Sequence, residues 1–443
     1  MNVYNVILCS VFVIFLLKNR GMYMKLFSIS KAVHVPKFKV AEHFSEIIEV
    51  DAPKNMVYSL SQQHNMKCSP TVKRGDRVLV NQVIGVGENN SVVPVYSSVS
   101  GTVKQITTKT DLLGNKVDVV LVENDGLYEK EEREVFSYSA LSMDELREKV
   151  KALGLIETQN LSNRKRGMQL SFKDTAKNIL INAQESGLYG QVDSYLYEKE
   201  KQDFLRGIEL LKSLYKDAQI VVLSTSDADS VIGFTELLKN SGVSLISKIP
   251  TQFYHDMNLA ARDVFGDFAM KDTMVIDAFL LPAVARGLMD QRLTHYQLLL
   301  INGGAVKNPG IYKVMSGTTL DLVMEKAGVE NPFRIVAGNI LSGDAVFTTD
   351  SPINRGIREV LFLNENEVSI DEEVNCIKCG RCADVCPMGL QPYELNQLVI
   401  VRDFDEFFKK RGGMCVECGR CSYVCPSKRH LLQSFKTAKK VKR

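Results

Sequence analysis

Cys376-Ile-Lys-Cys379-Gly-Arg-Cys382-Ala-Asp-Val-Cys386-Pro387 is repeated downstream as Cys415-Val-Glu-Cys418-Gly-Arg-Cys421-Ser-Tyr-Val-Cys425-Pro426, and the two stretches hold all but two of the chain's 10 cysteines. Three thiolates spaced two residues apart wrap one face of an iron–sulfur cube. The more distant fourth, followed by a chain-turning proline, crosses to the other cube in two-cluster proteins. The expected ligand sets are therefore Cys376, Cys379, Cys382 and Cys425 for one [4Fe-4S] cluster, and Cys415, Cys418, Cys421 and Cys386 for the other. Gly380 and Gly419, each directly after the second cysteine, let the backbone curl so that N–H groups point at sulfide. Structural zinc also uses paired Cys-x2-Cys, but a zinc site closes with four ligands and has no use for a third cysteine at the same spacing. Disulfides fit worse, because cysteines so close in sequence are poor bridge partners and no export signal is evident. Residues 365–443 thus read as a ferredoxin-like helical domain with two clusters, ending in a basic tail.

With 443 residues and 45% apolar content, the chain has material for several packed cores. Its formal charge of +3 implies no polyanion partner, so nucleic acid is not expected. Ferredoxin-type cysteines argue for a reducing compartment, the cytoplasm. Residues 1–24 form an apolar leader, in which Val6 to Leu17 is apolar apart from Ser10, with Lys18 and Arg20 after it. As a helix this run would span ~18 Å, short of the ~30 Å hydrocarbon core. A signal peptide wants its basic residues in front. A true start at Met22 or Met24, a short membrane anchor and a buried segment all stay open.

Residues 25–136 read as an all-β unit of short strands and turns, with β-branched runs bracketed by Gly, Asp and Asn. Val72-Lys-x-Gly75-Asp76-x-Val78 paired with Ser97-x-Val99-Ser-Gly101-x-Val103 looks like the barrel-sandwich hybrid of biotinyl and lipoyl carriers. The tip where carriers present a lysine is Gly87-Glu-Asn-Asn-Ser91, so a docking or structural module is expected rather than a swinging arm. Residues 137–290 alternate strand and helix. Ser142-Met-Asp-Glu145 opens a helix with a capping box, and Ile179–Ile181, Ile220–Leu223 and Val243–Ile246 read as buried strands. Phe204–Tyr215 and Asp227–Ser241 read as helices, together making an α/β layer. Residues 291–364 run strand, Asn308-Pro309-Gly310 turn, strand, then a helix ending near Gly328, which is the β-grasp order. Pro392 to Lys410 is expected to form one helix between the cluster motifs.

The order barrel-sandwich, α/β layer, β-grasp and twin clusters resembles the RnfC family of Rnf-type electron transport complexes. That family is related to the NADH- and flavin-binding subunit of respiratory complex I. The resemblance runs through Val33-His34-x-Pro36, Leu60-Ser-Gln62, the two barrel-sandwich stretches, Gly304-Ala-Val306-Lys-x-Pro309-Gly310 and the paired cluster motifs. Cobalamin-reductase relatives share these parts in a different order, and the electron-transfer protein associated with proline reductase is a further relative. The resemblance implies a Rossmann-like α/β layer, an SLBB-type β-grasp, FMN and NADH as cofactors, and redox partners that are membrane Rnf-type subunits or a soluble reductase. It also implies a cytoplasmic protein lying peripherally on the inner face of the cell membrane.

The sequence departs from that pattern where the flavin would bind. A stretch of the type G-x-G-G-A-x-F-P-T would place bare backbone N–H groups against phosphate. The corresponding interval, Gly154 to Phe172, has only Gly154 and Gly167, too far apart to replace it. In the next block Asn182 and Glu185 match, while Gly187 and Leu188 stand where an acid and a proline belong. Arg164, Lys165 and Arg166 could attract a phosphate, with a plain surface loop as the competing reading. Cys68 reads as a buried thiol. Two functions compete: a flavin- and NADH-using oxidoreductase subunit, and an electron-transfer adaptor without its own nucleotide site. Intact cluster motifs beside a degenerate loop favour the adaptor.

Overall fold

Apolar residues interspersed with polar ones in Gly101–Thr110 and Lys116–Asn124 pair as an antiparallel hairpin. Its turn is fixed by Asp111, whose Oδ1 accepts from the backbone N–H groups of Leu113 and Asn115. The structure is a computed structural model that describes residues 46–441 apart from 64–65, 90–91, 135, 158–167, 185–192, 226–227 and 249–256. The leader, the Val33-His34-x-Pro36 block, Arg164 to Arg166, Glu185, Gly187 and Leu188 lie outside the described residues, as does the end of the 87–91 tip.

The hairpin joins Asn55–Ser59 and Arg77–Val78 in a four-stranded sheet, and Cys68–Pro70, Val83–Gly87 and Val95–Tyr96 form a three-stranded one. Both sheets contribute to one core around Met56, Tyr58, Ile84, Val95 and Val120. A Cβ on Gly101 would lie 2.0 Å from the Glu123 carbonyl oxygen, so this close strand approach requires glycine. Tyr58 hydrogen-bonds Ser98, whose Oγ donates to the Ser316 carbonyl at 2.7 Å and ties this unit to the next sheet.

The helix Met143–Lys151 opens on the expected capping box: Ser142 Oγ accepts from Glu145 N–H, and the Glu145 carboxylate accepts from Ser142 N–H. Behind it lies a four-stranded parallel sheet in the order Ser244–Lys248, Gln219–Thr225, Asn178–Asn182, Thr273–Asp277. Ile179 and Ile181 face a core built with Leu146, Phe204, Leu211 and Val284, while Leu180 packs with Val221, Leu223 and Ala260 on the other face. Burial on both faces explains why these strands read as continuous apolar runs.

A six-stranded mixed sheet follows, in the order Ile47–Val50, Gly310–Met315, Tyr296–Asn302, Glu359–Leu363, Arg334–Ala337, Asp344–Ala345. The expected turn at Asn308–Gly310 does connect two antiparallel strands, and the helix Leu320–Ala327 ends at Gly328 with φ 65. That helix covers one face of the sheet through Leu320 and Val323. The opposite face, with Leu361 and Leu363, packs towards Val385 and Val424 of the cysteine-rich segment.

The segment expected as one helix from Pro392 to Lys410 is two, Pro392–Ile400 and Phe404–Lys409. Arg402 takes a left-handed φ of 59, and Asp403 caps the second helix by accepting from Glu406 N–H. The chain thereby folds back over a small core of Leu395, Phe407, Leu431 and Phe435.

Candidate iron–sulfur centres

The two cysteine repeats fold alike because their backbones are strained alike. Lys378 and Glu417, at matching positions, both have φ 54, followed by Gly380 at 80 and Gly419 at 76. These left-handed residues curl each loop so that Lys378 N–H and Glu417 N–H point at Cys376 Sγ and Cys415 Sγ, 3.4 Å away in each case. Leu390 N–H likewise approaches Cys386 Sγ at 3.3 Å. Gly389 and Lys428, each three residues past the fourth cysteine of its motif, are also left-handed and turn the chain away.

Cys376, Cys379 and Cys382 line one cavity of about 620 Å³ together with Cys425 from the other motif. Cys386 is not part of that lining; the charges opposing ionisation of Cys418 include Cys386, and those acting on Cys421 are Cys415, Cys418, Cys386 and Cys382. The structure therefore brings each fourth cysteine towards the other motif. Among the described residues no cysteine forms a disulfide.

The opening loops of the two motifs sit in opposite environments. Residues 371–379 are exposed throughout, whereas 415–421 are buried throughout. Burial pushes the Cys415 thiol up to about 12, and raises Cys418 and Cys421 as well. Such thiols ionise only against positive charge, and thiolate-bound iron is the source that this donor set suits. Soft sulfur donors, backbone N–H groups aimed at them and a cavity far larger than the closed shell of one zinc ion fit an iron–sulfur cube.

The second loop is held by contacts that no local pattern announces. A Cβ on Gly419 would lie 2.1 Å from the Leu341 carbonyl oxygen, whereas one on Gly380 would meet nothing. The basic tail forms the helix Leu431–Val441, and two of its lysines are engaged internally. Lys436 Nζ bonds the Asp344 carboxylate and the Ser342 carbonyl, both at 2.8 Å. Lys439, 7% exposed, donates to the Cys415 carbonyl and the Glu417 carboxylate. A sequence signal exists for this: Lys436 and Lys439 follow Leu432 and Phe435 at helical spacing, on the side that packs.

At the C-terminal end of the parallel sheet, Asn182 is buried and its Oδ1 accepts from Gln184 N–H. Asp277, at the end of the neighbouring strand, pairs with Arg358, whose guanidinium lies over the Phe279 ring. Both polar groups are thus engaged within the protein.

A two-motif thiolate site built on these loops defines an iron–sulfur electron-transfer protein. Residues 27–127 match the RnfC barrel sandwich hybrid domain, and residues 365–430 match the 4Fe-4S dicluster domain. The chain is RnfC-like along most of its length. It is 25% identical to the C component of the Na(+)-translocating ferredoxin:NAD(+) oxidoreductase complex of Acetobacterium woodii, over 77% of this chain and 81% of that one. It is 23% identical to the C component of the ion-translocating oxidoreductase complex of Haemophilus influenzae, over 84% of this chain but only 59% of that one. A solved NAD+-reducing [NiFe]-hydrogenase in the H2-reduced state overlaps 68% of this chain and 63% of its own, with a TM-score of 0.44 at 13% identity. Among the described residues no helix is long and apolar enough to cross a membrane.

Proposed function

We propose that this chain relays electrons between protein partners through two [4Fe-4S] clusters, one held by Cys376, Cys379, Cys382 and Cys425, the other by Cys415, Cys418, Cys421 and Cys386. The observation that carries the reading is the arrival of Cys425 in the cavity lined by the first motif. Each bound cluster supplies reversible one-electron storage. The protein's own part is to hold the thiolates, aim N–H groups at them and set how much water reaches each centre.

The exposed loop at 371–379 suits exchange with a partner, and the buried loop suits storage against the body of the protein. In this reading the parallel sheet is a Rossmann-like layer (137–290), and the six-stranded sheet with its helix is the SLBB β-grasp (291–364). The barrel-sandwich unit (25–136) is a docking or structural module, and residues 365–443 form the two-cluster domain. The partners are subunits of an Rnf-type membrane complex or a soluble reductase, met at the cytoplasmic face. FMN- and NADH-dependent activity belongs to the competing reading, against which stand the missing glycines and the engaged Asn182 and Asp277.

Anaerobic purification decides between them. We expect about eight irons per chain, no stoichiometric flavin and no bleaching by NADH. Cys425→Ser and Cys386→Ser should each leave about four irons. Zinc in place of iron would overturn the proposal, and stoichiometric flavin with rapid NADH-driven bleaching would establish the competing one.

A further inference from the structure

Burying an ammonium costs several kcal/mol, and a buried ion pair generally contributes no more stability than apolar residues of the same volume. Lys439 is nevertheless 7% exposed and Glu417 9%, and neither charge faces solvent. Lys439 Nζ lies 2.5 Å from the carbonyl oxygen of Cys415 and 3.1 Å from the Glu417 carboxylate. Glu417 in turn sends its backbone N–H to Cys415 Sγ. The pair is therefore anchored to the first cysteine of the second motif, with its positive end on that residue's own peptide group. The matching position in the first motif is the exposed Lys378, so the pair is peculiar to the buried centre.

We infer that Lys439 is a positioning residue that sets the reduction potential of the second centre, keeping it reducible despite its burial. Reduction adds one negative charge to a centre shielded from water, where a fixed cation acts at low dielectric. Glu417 opposes that cation and trims its effect. The inference rests on the assignment of a cluster to Cys415, Cys418, Cys421 and Cys386.

The test is a potentiometric titration of the full-length anaerobic protein at one pH, followed by electron paramagnetic resonance. The signal lost in Cys415→Ser identifies the second centre. Lys439→Met should make that centre about tenfold harder to reduce, which is about 59 mV for one electron. Lys439→Arg should keep the original potential, and Glu417→Gln, which removes the negative charge of the pair, should shift it upwards. The exposed centre should not move in any variant. If Lys439→Met fails to load iron, Glu417→Gln decides alone, an upward shift supporting the inference and an unchanged potential refuting it. Shifts of the same sign in Lys439→Met and Glu417→Gln, or equal shifts at both centres, would overturn it. Wild-type protein with about four irons would instead bring down the cluster assignment beneath it.

Discussion

Glu359 begins the strand Glu359–Leu363 in the middle of the six-stranded sheet, on the same face as Leu361 and Leu363. It is 5% exposed, and one of its carboxylate oxygens has no hydrogen-bond partner. Burial raises its pKa from the ordinary 4.5 to about 8. The folded protein thus holds a proton here that the unfolded chain releases, so stability is full below about 4.5 and falls as pH rises towards 8. At about 1.4 kcal/mol per pH unit, the loss across that interval amounts to about 5 kcal/mol, a large share of a domain's stability. Glu359→Gln keeps the shape and stays neutral at every pH. Urea unfolding followed by far-ultraviolet circular dichroism should give similar midpoints for the two proteins at pH 5. At pH 8 the variant should unfold at clearly higher urea. Parallel pH profiles would refute the reasoning, because the carboxyl would then be ionised, or paired, in the folded state.

The two equivalent glycines of the cluster loops should respond differently to alanine. Both variants incur about 1–2 kcal/mol of left-handed strain, but only Gly419→Ala also drives a methyl group into the Leu341 carbonyl, so iron analysis should show it losing the second centre while Gly380→Ala retains both. Cys68, buried and with its thiol pushed up to about 11, should resist alkylation at pH 8 until the protein is denatured; peptide mass spectrometry showing modification of the native protein would contradict its burial.

What could be read from the sequence follows from how local the cause is. The capping box at Ser142 and Glu145, the Asn308–Gly310 turn and the Gly328 helix stop are set by neighbouring residues, and each appears where expected. The strands at 178–182 and 219–225 are legible because burial on both faces leaves a continuous apolar run. Thr273–Asp277 has the same length and a similar apolar centre but does not stand out, since a 3-10 turn leads into it. The break at Arg402 is invisible because a non-glycine residue in the left-handed region carries no compositional mark. The cysteine loops are visible as chemistry, yet nothing in two near-identical motifs tells which one is covered. That is decided by contacts distant in sequence, Gly419 against Leu341 and Lys436 against Asp344.

This last difference bears on the direction of electron flow. Two centres with the same thiolate ligands and the same loop geometry can differ in potential only through their surroundings: hydrogen bonds, charge and access of water. The first loop is open to solvent, which in the proposed relay would stabilise a reduced centre at no cost to the fold. The second loop has lost that solvent, and burial alone would make its reduction harder. Lys439, carried by the last helix, donates to the Cys415 carbonyl, and in the relay proposed above that cation would replace part of what solvent provides. The helix that carries it is also tied to the six-stranded sheet through Lys436 and Asp344. Docking of the cluster domain on the body and the poise of its inner centre are thus one structural event. A change that loosens the terminal helix should therefore disturb the relay's energetics before it disturbs iron binding.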